Sequence, residues 1–176
     1  SKAIEQMGTV YSFEPSKKNQ FFLNYHIKKN YIQNVKVINK VVSSKKKKRI
    51  KFFESDQPSG MNSILQIKEK KITNEIFCET ITLDDFCIKN KLLPEIIKVD
   101  IEGAEIDLLY GSLNLIKRCK PMIFLSYHPS HIKKLGYKKD LIFKILDKIN
   151  YKNYDKNFNH PLKLENCEYL LFPKNA

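Results

Sequence analysis

The sequence predicts an α/β fold whose open, doubly wound and mostly parallel sheet ends in an antiparallel hairpin at its C-terminal edge. Apolar, β-rich runs alternate with stretches of helical periodicity, and the first connections are too long for hairpins, which favours parallel neighbours. The last two runs, YKNYD and CEYLLF, follow each other closely and predict the hairpin. A chain of 176 residues with 42% hydrophobic residues fits a single domain over residues 1–176.

The N-terminal part predicts a β-α-β unit. SKAIEQM has the pattern of a helix end, with Gly8 at the usual capping position. TVYSF is a short strand, and Ser16 is placed to cap a helix that continues to about residue 30. VKVINKVV then alternates apolar positions and is expected to form the next strand.

The middle of the chain departs from this alternation. RIKFF and EIFCETI indicate two strands, separated by the polar loop SDQPSGMNS and by ILQIKEKKI, whose pattern favours neither helix nor strand. Thr82, with Asp85 three residues later, begins a helix in the manner of a capping box. This helix is expected to reach about Lys91 and to end before Pro94.

The C-terminal half returns to alternating strands and helices. EIIKVD is a buried strand by its apolar run, and a helix is expected over residues 103–118. The inner face of this helix is predicted to carry Ile106, Leu109, Leu113 and Ile116. MIFLSYH is the next strand, and Gly136 precedes a last helix near residues 138–150.

The net charge of +13 suggests a nucleic-acid partner, but two details disfavour one. Nearly all of the positive charge is Lys, with Arg only at positions 49 and 118, whereas base and phosphate readers favour the planar Arg fork. The run KKKKR falls between two strand-like segments, where a solvated turn is the simplest account. We therefore expect a solvated basic surface.

The cysteines and the apolar runs bear on metal binding and cellular location. Cys78, Cys87, Cys119 and Cys167 form no CxxC pair and have no His at ligand spacing, so they predict no metal site. Each lies in an apolar stretch, where a thiol packs as a small hydrophobe. This usage favours a reducing compartment, and no apolar run reaches the roughly 18 residues that cross a bilayer. We expect a cytoplasmic protein without a membrane span.

Polar residues follow several predicted strands, and in such a sheet ligands bind at the carboxyl ends of the strands. The residues at these positions are Glu14, Ser43, Ser44, Asp100 and His128. An acid in the place of Glu14 can accept hydrogen bonds from both hydroxyls of a ribose, about 20 residues after a glycine-rich turn. Counting back puts that turn about six residues before Ser1, so we expect the first strand and its glycine loop upstream of this sequence.

The stretch VDIEGAEIDLLYG sets three acids around one glycine. Asp100 would follow a strand directly, which favours a functional role. Glu102 and Glu105 also suit the first turn of a helix, whose positive end favours carboxylates, and both interpretations of Glu105 stay open. Gly103 would let the backbone pass close to a ligand. The histidines expected to be structural or solvated are His26, His131 and His160.

Six segments resemble, in order and spacing, the FkbM-type S-adenosylmethionine-dependent methyltransferases. They are VYSFEPS, VKVINKVVSS, SGMNSIL, ETITLDDF, IIKVDIEGAE and PMIFLSYHP. The resemblance covers residues 9–129 well and the C-terminal hairpin loosely. It implies a class I methyltransferase (Rossmann-like) sheet, S-adenosylmethionine as the cofactor, and an O-methyl acceptor that is often a sugar, glycolipid or polyketide hydroxyl.

On the cofactor side, the resemblance implies that Glu14 holds the ribose and that the loop with Ser43 and Ser44 faces adenine. Asp100 and Glu102 would lie beside the methylsulfonium, where carboxylates favour a cationic cofactor. Ser44 stands where an acid is common in the family, which implies a weaker acceptor for the adenine amine. The glycine-rich first motif is absent, so we expect this segment alone to bind S-adenosylmethionine weakly or not at all, and to be inactive.

On the acceptor side, the resemblance implies that Ser63, Glu102 and His128 bind the substrate. Asp100 or His128 would accept the proton of the hydroxyl. Ser126 stands where family members often carry Glu before the His, and this departs from the family pattern. His128 could equally be a surface residue at a strand end, and this alternative stays open.

The leading hypothesis is methyl transfer to a hydroxyl of a small molecule or glycan, and two alternatives accompany it. One is a non-catalytic α/β module that kept the sheet, and the other is a nucleic-acid-binding protein. An apolar strand and a D-x-G-A-type turn encoded just before Ser1 would favour the enzyme. Steeply salt-dependent binding to oligonucleotides would favour the nucleic-acid binder. The sequence predicts no oligomeric state.

Overall fold

The computed structural model describes residues 8–55, 62–64, 66, 72–163 and 165–174. The chain divides into two compact units: the first comprises Ser1–Val41 and Lys47–Thr80, and the second comprises Val42–Lys46 and Ile81–Ala176. The predicted helix end SKAIEQM lies outside the described residues, as does most of SDQPSGMNS and of ILQIKEKKI.

Strands and helices alternate along much of the described chain. The strands are β1 (Val10–Phe13), β2 (Val35–Ile38), β3 (Val41–Val42), β4 (Ile50–Ser55), β5 (Ile72–Cys78), β6 (Thr80–Ile81), β7 (Ile96–Val99), β8 (Met122–Tyr127), β9 (Tyr151–Tyr154) and β10 (Cys167–Pro173). The helices are α1 (Lys17–Lys29), α2 (Leu83–Lys89), α3 (Glu105–Tyr110), α4 (Leu113–Cys119), α5 (Pro129–Lys134) and α6 (Leu141–Ile149).

The first unit contains the predicted β-α-β arrangement. β1 and β2 pair in parallel, with Val10 opposite Val35, and α1 connects them. α1 begins where the sequence predicts because the Ser16 hydroxyl accepts a hydrogen bond from the amide of Asn19 at 3.3 Å. β4 and β5 form an antiparallel pair, and Phe52 of β4 belongs to the small apolar core of this unit.

The second unit contains a four-stranded sheet in the order β7-β8-β10-β9. β7 and β8 are parallel, whereas β10 runs antiparallel to both β8 and β9. The predicted C-terminal hairpin is therefore confirmed. The α/β class is confirmed as well, but the sheets are small and mixed, and the doubly wound parallel sheet is not confirmed.

The core of the second unit is formed by aliphatic side chains of its strands and helices. Its most buried members include Val99, Ile106, Leu109, Ile116, Ile123, Leu125, Ile132, Ile142 and Leu171. Complete burial of such a side chain stabilises the fold by about 1.5–3 kcal/mol. Of the predicted inner face, Leu113 is only half-buried and Leu115 is buried instead.

The helix predicted over residues 103–118 is two helices, α3 and α4, separated by Gly111 and Ser112. Ser112 is completely buried, and its hydroxyl donates to two carbonyls of α3, at 2.8 and 3.2 Å. Such side-chain bonds compete with the regular helical pattern. Gly111 lies against the backbone of Ser43, since a Cβ at position 111 would be 2.1 Å from that carbonyl oxygen. A continuous helix was therefore the wrong prediction.

Three other elements differ from the prediction. VKVINKVV forms two strands because the amide of Lys40 turns back to the carbonyl of Ile38 at 2.9 Å. α5 was not predicted, and it carries Pro129 in its first turn, where a missing N–H costs no intrahelical hydrogen bond. α6 begins at Leu141, a few residues later than expected.

The cysteines follow the prediction in part. Cys78 and Cys87 are buried, and burial raises the pKa of each thiol to about 11. Cys167 is exposed at the start of β10, so the expectation that it packs in the core is wrong. Within the described ranges, none of the helices has the length and apolar character needed to cross a membrane.

Candidate functional site

A sharp turn over residues 100–104 joins β7 to α3. Glu102 and Gly103 both have positive φ angles, of 54° and 111°. The left-handed conformation costs a residue with a Cβ about 1–2 kcal/mol, and strain of this kind concentrates at functional sites. The turn leaves the carboxylates of Asp100 and Glu102 at the carboxyl end of β7.

β8 brings a histidine to the same edge of the sheet. β7 and β8 are parallel, with Val99 opposite Leu125, so the residues that follow the two strands leave the sheet at the same edge. Tyr127 ends β8, and His128 follows it as the residue before α5. Parallel pairing thus explains how residues distant in the sequence come together.

Asp100, Glu102 and His128 form what we call the strand-end cluster. One ligating atom of each residue lies within 4.8 Å of the other two. His128 Nε2 is 4.0 Å from Glu102 Oε1. Asp100 is exposed and its Oδ2 lies 3.6 Å from Lys98 Nζ, whereas Glu102 and His128 are half-buried. Two carboxylates and an imidazole at this spacing could hold a divalent metal ion.

Glu105, the first residue of α3, lies behind His128 and is completely buried. Its Oε1 is 2.6 Å from His128 Nδ1 and accepts a hydrogen bond from the amide of Gly103 at 3.0 Å. Its Oε2 has no hydrogen-bond partner within the described ranges. Glu105 thus lies in the first turn of α3, as one of the two interpretations expected, and it also contacts His128.

The contact with Glu105 sets the electrostatics of His128. The hydrogen bond that His128 donates to Glu105 raises the pKa of His128 against the opposing effect of burial, and the charges of Glu105, Glu102 and Asp100 raise it further. A carboxylate can only accept, so the neutral ring carries its hydrogen on Nδ1. Nε2 is therefore the ring atom that His128 presents to Glu102 of the strand-end cluster.

His131 lies on α5 beside the cluster. Its Nδ1 is 3.3 Å from Glu102 Oε2, and its ring stacks on that of His128 with centroids 5.8 Å apart and planes 12° apart. A Cβ at Gly103 would be 2.6 Å from His131 Cβ, so this position needs glycine for space as well as for its φ angle. The sequence-based description of His131 as structural or solvated missed these contacts.

The turn with Ser43 and Ser44 is held against α3 within the second unit. The Ser44 hydroxyl donates to Asp107 Oδ1 at 2.5 Å, and the Tyr137 hydroxyl donates to the same oxygen at 3.1 Å. Burial raises the pKa of Tyr137 to about 12, with Asp107 contributing, so the phenol keeps its proton. These contacts fix the turn, while its role toward adenine stays a prediction.

Glu14 lies in the first unit directly after β1. Its Oε1 accepts from the amide of Ser16 at 2.9 Å, and its Oε2 accepts from the side-chain amide of Asn19 at 3.1 Å. Burial raises the pKa of Glu14, although both hydrogen bonds lower it. The carboxylate therefore organises the start of α1. Each oxygen keeps a second lone pair, so binding of a ribose stays a prediction.

Ser63 also lies in the first unit, where it is buried. Its amide and carbonyl both bond to the backbone of Phe53, at 3.1 and 2.8 Å. This pairing anchors the segment on β4. A role of Ser63 in acceptor binding stays a prediction.

Sequence reasoning left the role of Glu105 open and missed His131 as a neighbour of the cluster. A signal was present for Glu105, because Ala104 and Ile106 on either side of it are both apolar and both buried. For His131 the signal is its spacing from His128, since residues three apart share a face of a helix. That signal required α5, which the pattern did not predict.

Parallel strands with acids and a histidine at their carboxyl ends define an α/β protein of the kind that binds ligands at that edge. The family model of the methyltransferase FkbM domain matches residues 2–167 of the chain. The chain therefore belongs to the FkbM methyltransferase domain family, and the resemblance found in the sequence is confirmed.

Two relatives extend this finding. The crystal structure of a methyltransferase FkbM from Methylobacillus flagellatus KT is similar to the chain with a TM-score of 0.57 and 19% sequence identity, over 93% of this chain and 36% of that one. A probable serine/threonine-protein kinase from Dictyostelium discoideum is 34% identical over 115 residues, which are 57% of this chain and 8% of the kinase. The chain thus spans about a third of the first relative and a small part of the second.

Proposed function

We propose that the protein transfers a methyl group from S-adenosylmethionine to a hydroxyl of a small molecule or glycan, such as a sugar, glycolipid or polyketide. Family membership supports methyl transfer. The observation that carries the proposal is the strand-end cluster, in which Asp100, Glu102 and His128 meet at the carboxyl ends of two parallel strands. Carboxylates there favour a cationic cofactor, and an imidazole with a directed lone pair suits an acceptor that must lose a proton.

The reaction is an in-line displacement on a sulfonium. The hydroxyl oxygen forms a bond to the methyl carbon as the carbon–sulfur bond breaks, and the electron pair stays on sulfur to give neutral S-adenosylhomocysteine. Most of the acceleration comes from holding the two reactants in line. The hydroxyl proton goes to Asp100 or to Nε2 of His128, because Nδ1 of His128 is engaged by Glu105.

The other predicted residues complete the proposed site. Glu14 binds the ribose, and the Ser43–Ser44 turn faces adenine. Asp100 and Glu102 would lie beside the methylsulfonium and the acceptor, and Ser63 would contribute on the acceptor side together with His128. In this proposal residues 1–176 act as one methyltransferase domain in the cytoplasm.

The test is methyl transfer by the full-length protein from methyl-labelled S-adenosylmethionine to a panel of hydroxyl acceptors. Asp100→Asn should lower the rate by about 10²-fold or more, the usual scale for losing one general base. Its fold should persist, because Asp100 is exposed and the replacement conserves volume. Glu95→Gln is the matched control, since Glu95 is an exposed acid at the opposite end of β7. No transfer to any hydroxyl, or equal rates for both variants, would overturn the proposal.

A further inference from the structure

We propose that the strand-end cluster binds a divalent metal ion. The ligating atoms of Asp100, Glu102 and His128 lie within 4.8 Å of one another. Bonds to such ions are about 2.0–2.3 Å long, so one ion spans ligand atoms up to about 4.6 Å apart. The observed spacing therefore needs only a small movement of side chains around the ion.

The environment of His128 is that of a metal ligand. Histidines that bind metals almost always donate their other ring N–H to a carboxylate or carbonyl, which fixes the tautomer and the direction of the ring. Glu105 supplies that carboxylate at 2.6 Å from Nδ1 and is completely buried. The amide of Gly103 in turn fixes Glu105. Nε2 is thereby presented to Glu102 and Asp100 as an acceptor.

The balance of charge at the cluster also points to a cation. Nε2 of His128 and Oε1 of Glu102 face each other at 4.0 Å, and the carboxylate of Asp100 belongs to the same cluster. The carboxylate of Glu105 adds a third negative charge, and its Oε2 is buried without a hydrogen-bond partner within the described residues. Lys98 contacts Asp100 from the exposed side. A divalent ion among these carboxylates would offset their concentrated negative charge.

The donor set indicates which ion fits. Two carboxylate oxygens and one imidazole nitrogen, with no thiolate, suit Mn²⁺ and ions that share its preferences. Three protein ligands leave positions for water or for an acceptor oxygen, and a bound hydroxyl would ionise more readily. Such an ion would replace direct proton transfer to His128. The binding itself does not rest on the proposed function, because it needs neither cofactor nor acceptor.

The experiment titrates metal-free full-length protein with Mn²⁺ and follows the electron paramagnetic resonance signal of the free ion, without S-adenosylmethionine. We expect one site per chain. His128→Asn removes Nε2 but keeps an amide N–H near the position of Nδ1 to meet Glu105. Asp100→Asn removes one carboxylate at an exposed position. Each should weaken binding by at least the roughly 10–100-fold seen when a partner behind a ligand is lost, and Glu95→Gln should bind as the parent does.

Two results would overturn the inference: the absence of stoichiometric binding to the parent protein, or equal affinity in the parent, Asp100→Asn and His128→Asn. Circular dichroism of each variant shows that the protein is folded, and Asp100→Asn keeps the test valid if His128→Asn does not fold. A protein that binds Mn²⁺ at this cluster but methylates no hydroxyl would contradict the proposed function alone. A protein that methylates in the presence of a chelator and binds no Mn²⁺ would contradict the metal site alone.

Discussion

Two turns from a strand into a helix, one in each unit, carry acids in the same place but use them differently. After β1, both oxygens of Glu14 accept hydrogen bonds from the start of α1. After β7, Asp100, Glu102 and Glu105 surround the imidazole of His128, and a buried oxygen of Glu105 finds no donor within the described ranges. The first turn meets its acid with local N–H donors, whereas the second concentrates negative charge.

The difference lies in the backbone. The turn before α1 uses an extended Ser16 as an N-cap, so that local N–H groups point at the acid. The turn before α3 passes through positive φ angles at Glu102 and Gly103 and has no side-chain cap. Glu102 and Glu105 therefore contact His128 at the end of the neighbouring strand, although Glu105 also accepts from the Gly103 amide of its own turn.

The largest loss of stability is expected for Gly103→Ala, which places a side chain in the turn between β7 and α3. A Cβ there would lie 2.6 Å from His131 Cβ and 3.2 Å from its backbone, in addition to the strain of a positive φ. Gly136→Ala is the matched control, because Gly136 also has a positive φ, of 88°, with no atom within 4 Å of a Cβ. The control should lose about 1–2 kcal/mol of unfolding free energy and Gly103→Ala clearly more, as measured by urea denaturation. Equal losses would show that the turn has room to relax.

The substitution Glu105→Gln tests whether the buried carboxylate of Glu105 supports metal binding by His128. The amide keeps an oxygen to accept from Gly103 but removes the charge that holds the ring of His128. The affinity for Mn²⁺ should fall by about 10–100-fold, the usual effect of losing the partner behind a metal ligand. Isothermal titration calorimetry of Glu105→Gln, with Glu95→Gln as the control, measures this affinity. Unchanged affinity in Glu105→Gln would show that Glu105 acts only in packing. The acid of the second turn would then have a structural role, as Glu14 has in the first.

Ser16→Ala probes the first turn. The Ser16 hydroxyl caps α1 and is almost completely buried, so its loss should cost about 0.5–2 kcal/mol of stability. Binding of Mn²⁺ should not change, because the strand-end cluster takes no residue from this turn. Thermal unfolding and the Mn²⁺ titration on the same sample separate the two effects. A change in Mn²⁺ affinity would contradict the independence of the turns.

The smallest effect is expected from the titration of Glu14. Burial raises its pKa above the ordinary 4.5, so the folded protein holds this proton more tightly than the unfolded chain does. The resulting stabilisation is complete below about pH 4.5 and is lost as the pH rises through the folded-state pKa. Glu14→Gln cannot ionise, so it should lose less stability than the parent between about pH 4 and pH 7. A difference between the two proteins that does not vary with pH would contradict the raised pKa.

Local signals in the sequence predicted much of the fold. Ser16 and Thr82 cap helices where the pattern placed them, and the close pair YKNYD and CEYLLF forms the predicted antiparallel strands. These features depend on neighbours within a few residues. The break at Ser112 could not be predicted in the same way, because Gly111 meets the backbone of Ser43, a residue from another part of the chain.

The candidate site also combines features that local sequence signals predicted with contacts that depend on distant parts of the chain. Asp100 and His128 were expected at strand ends, and the parallel register of β7 and β8 brings them together. The pairing of Glu105 with His128 depends on how α3 and α5 leave the sheet, which no local pattern reports. The loop with Ser63 was expected to be polar, and its pairing with the backbone of Phe53 on β4 is another contact between distant residues that no local pattern reports.

Gly111 has an ordinary φ of −78°, so it is the space beside Ser43, and not the backbone conformation, that demands a glycine. The loop that follows β3 therefore packs in the gap between α3 and α4. In related sequences, we expect a residue larger than glycine at position 111 only where the loop after β3 has a different conformation. Substitutions at position 111 and in the loop after β3 should therefore be correlated among related sequences. A longer loop should accompany the loss of the glycine.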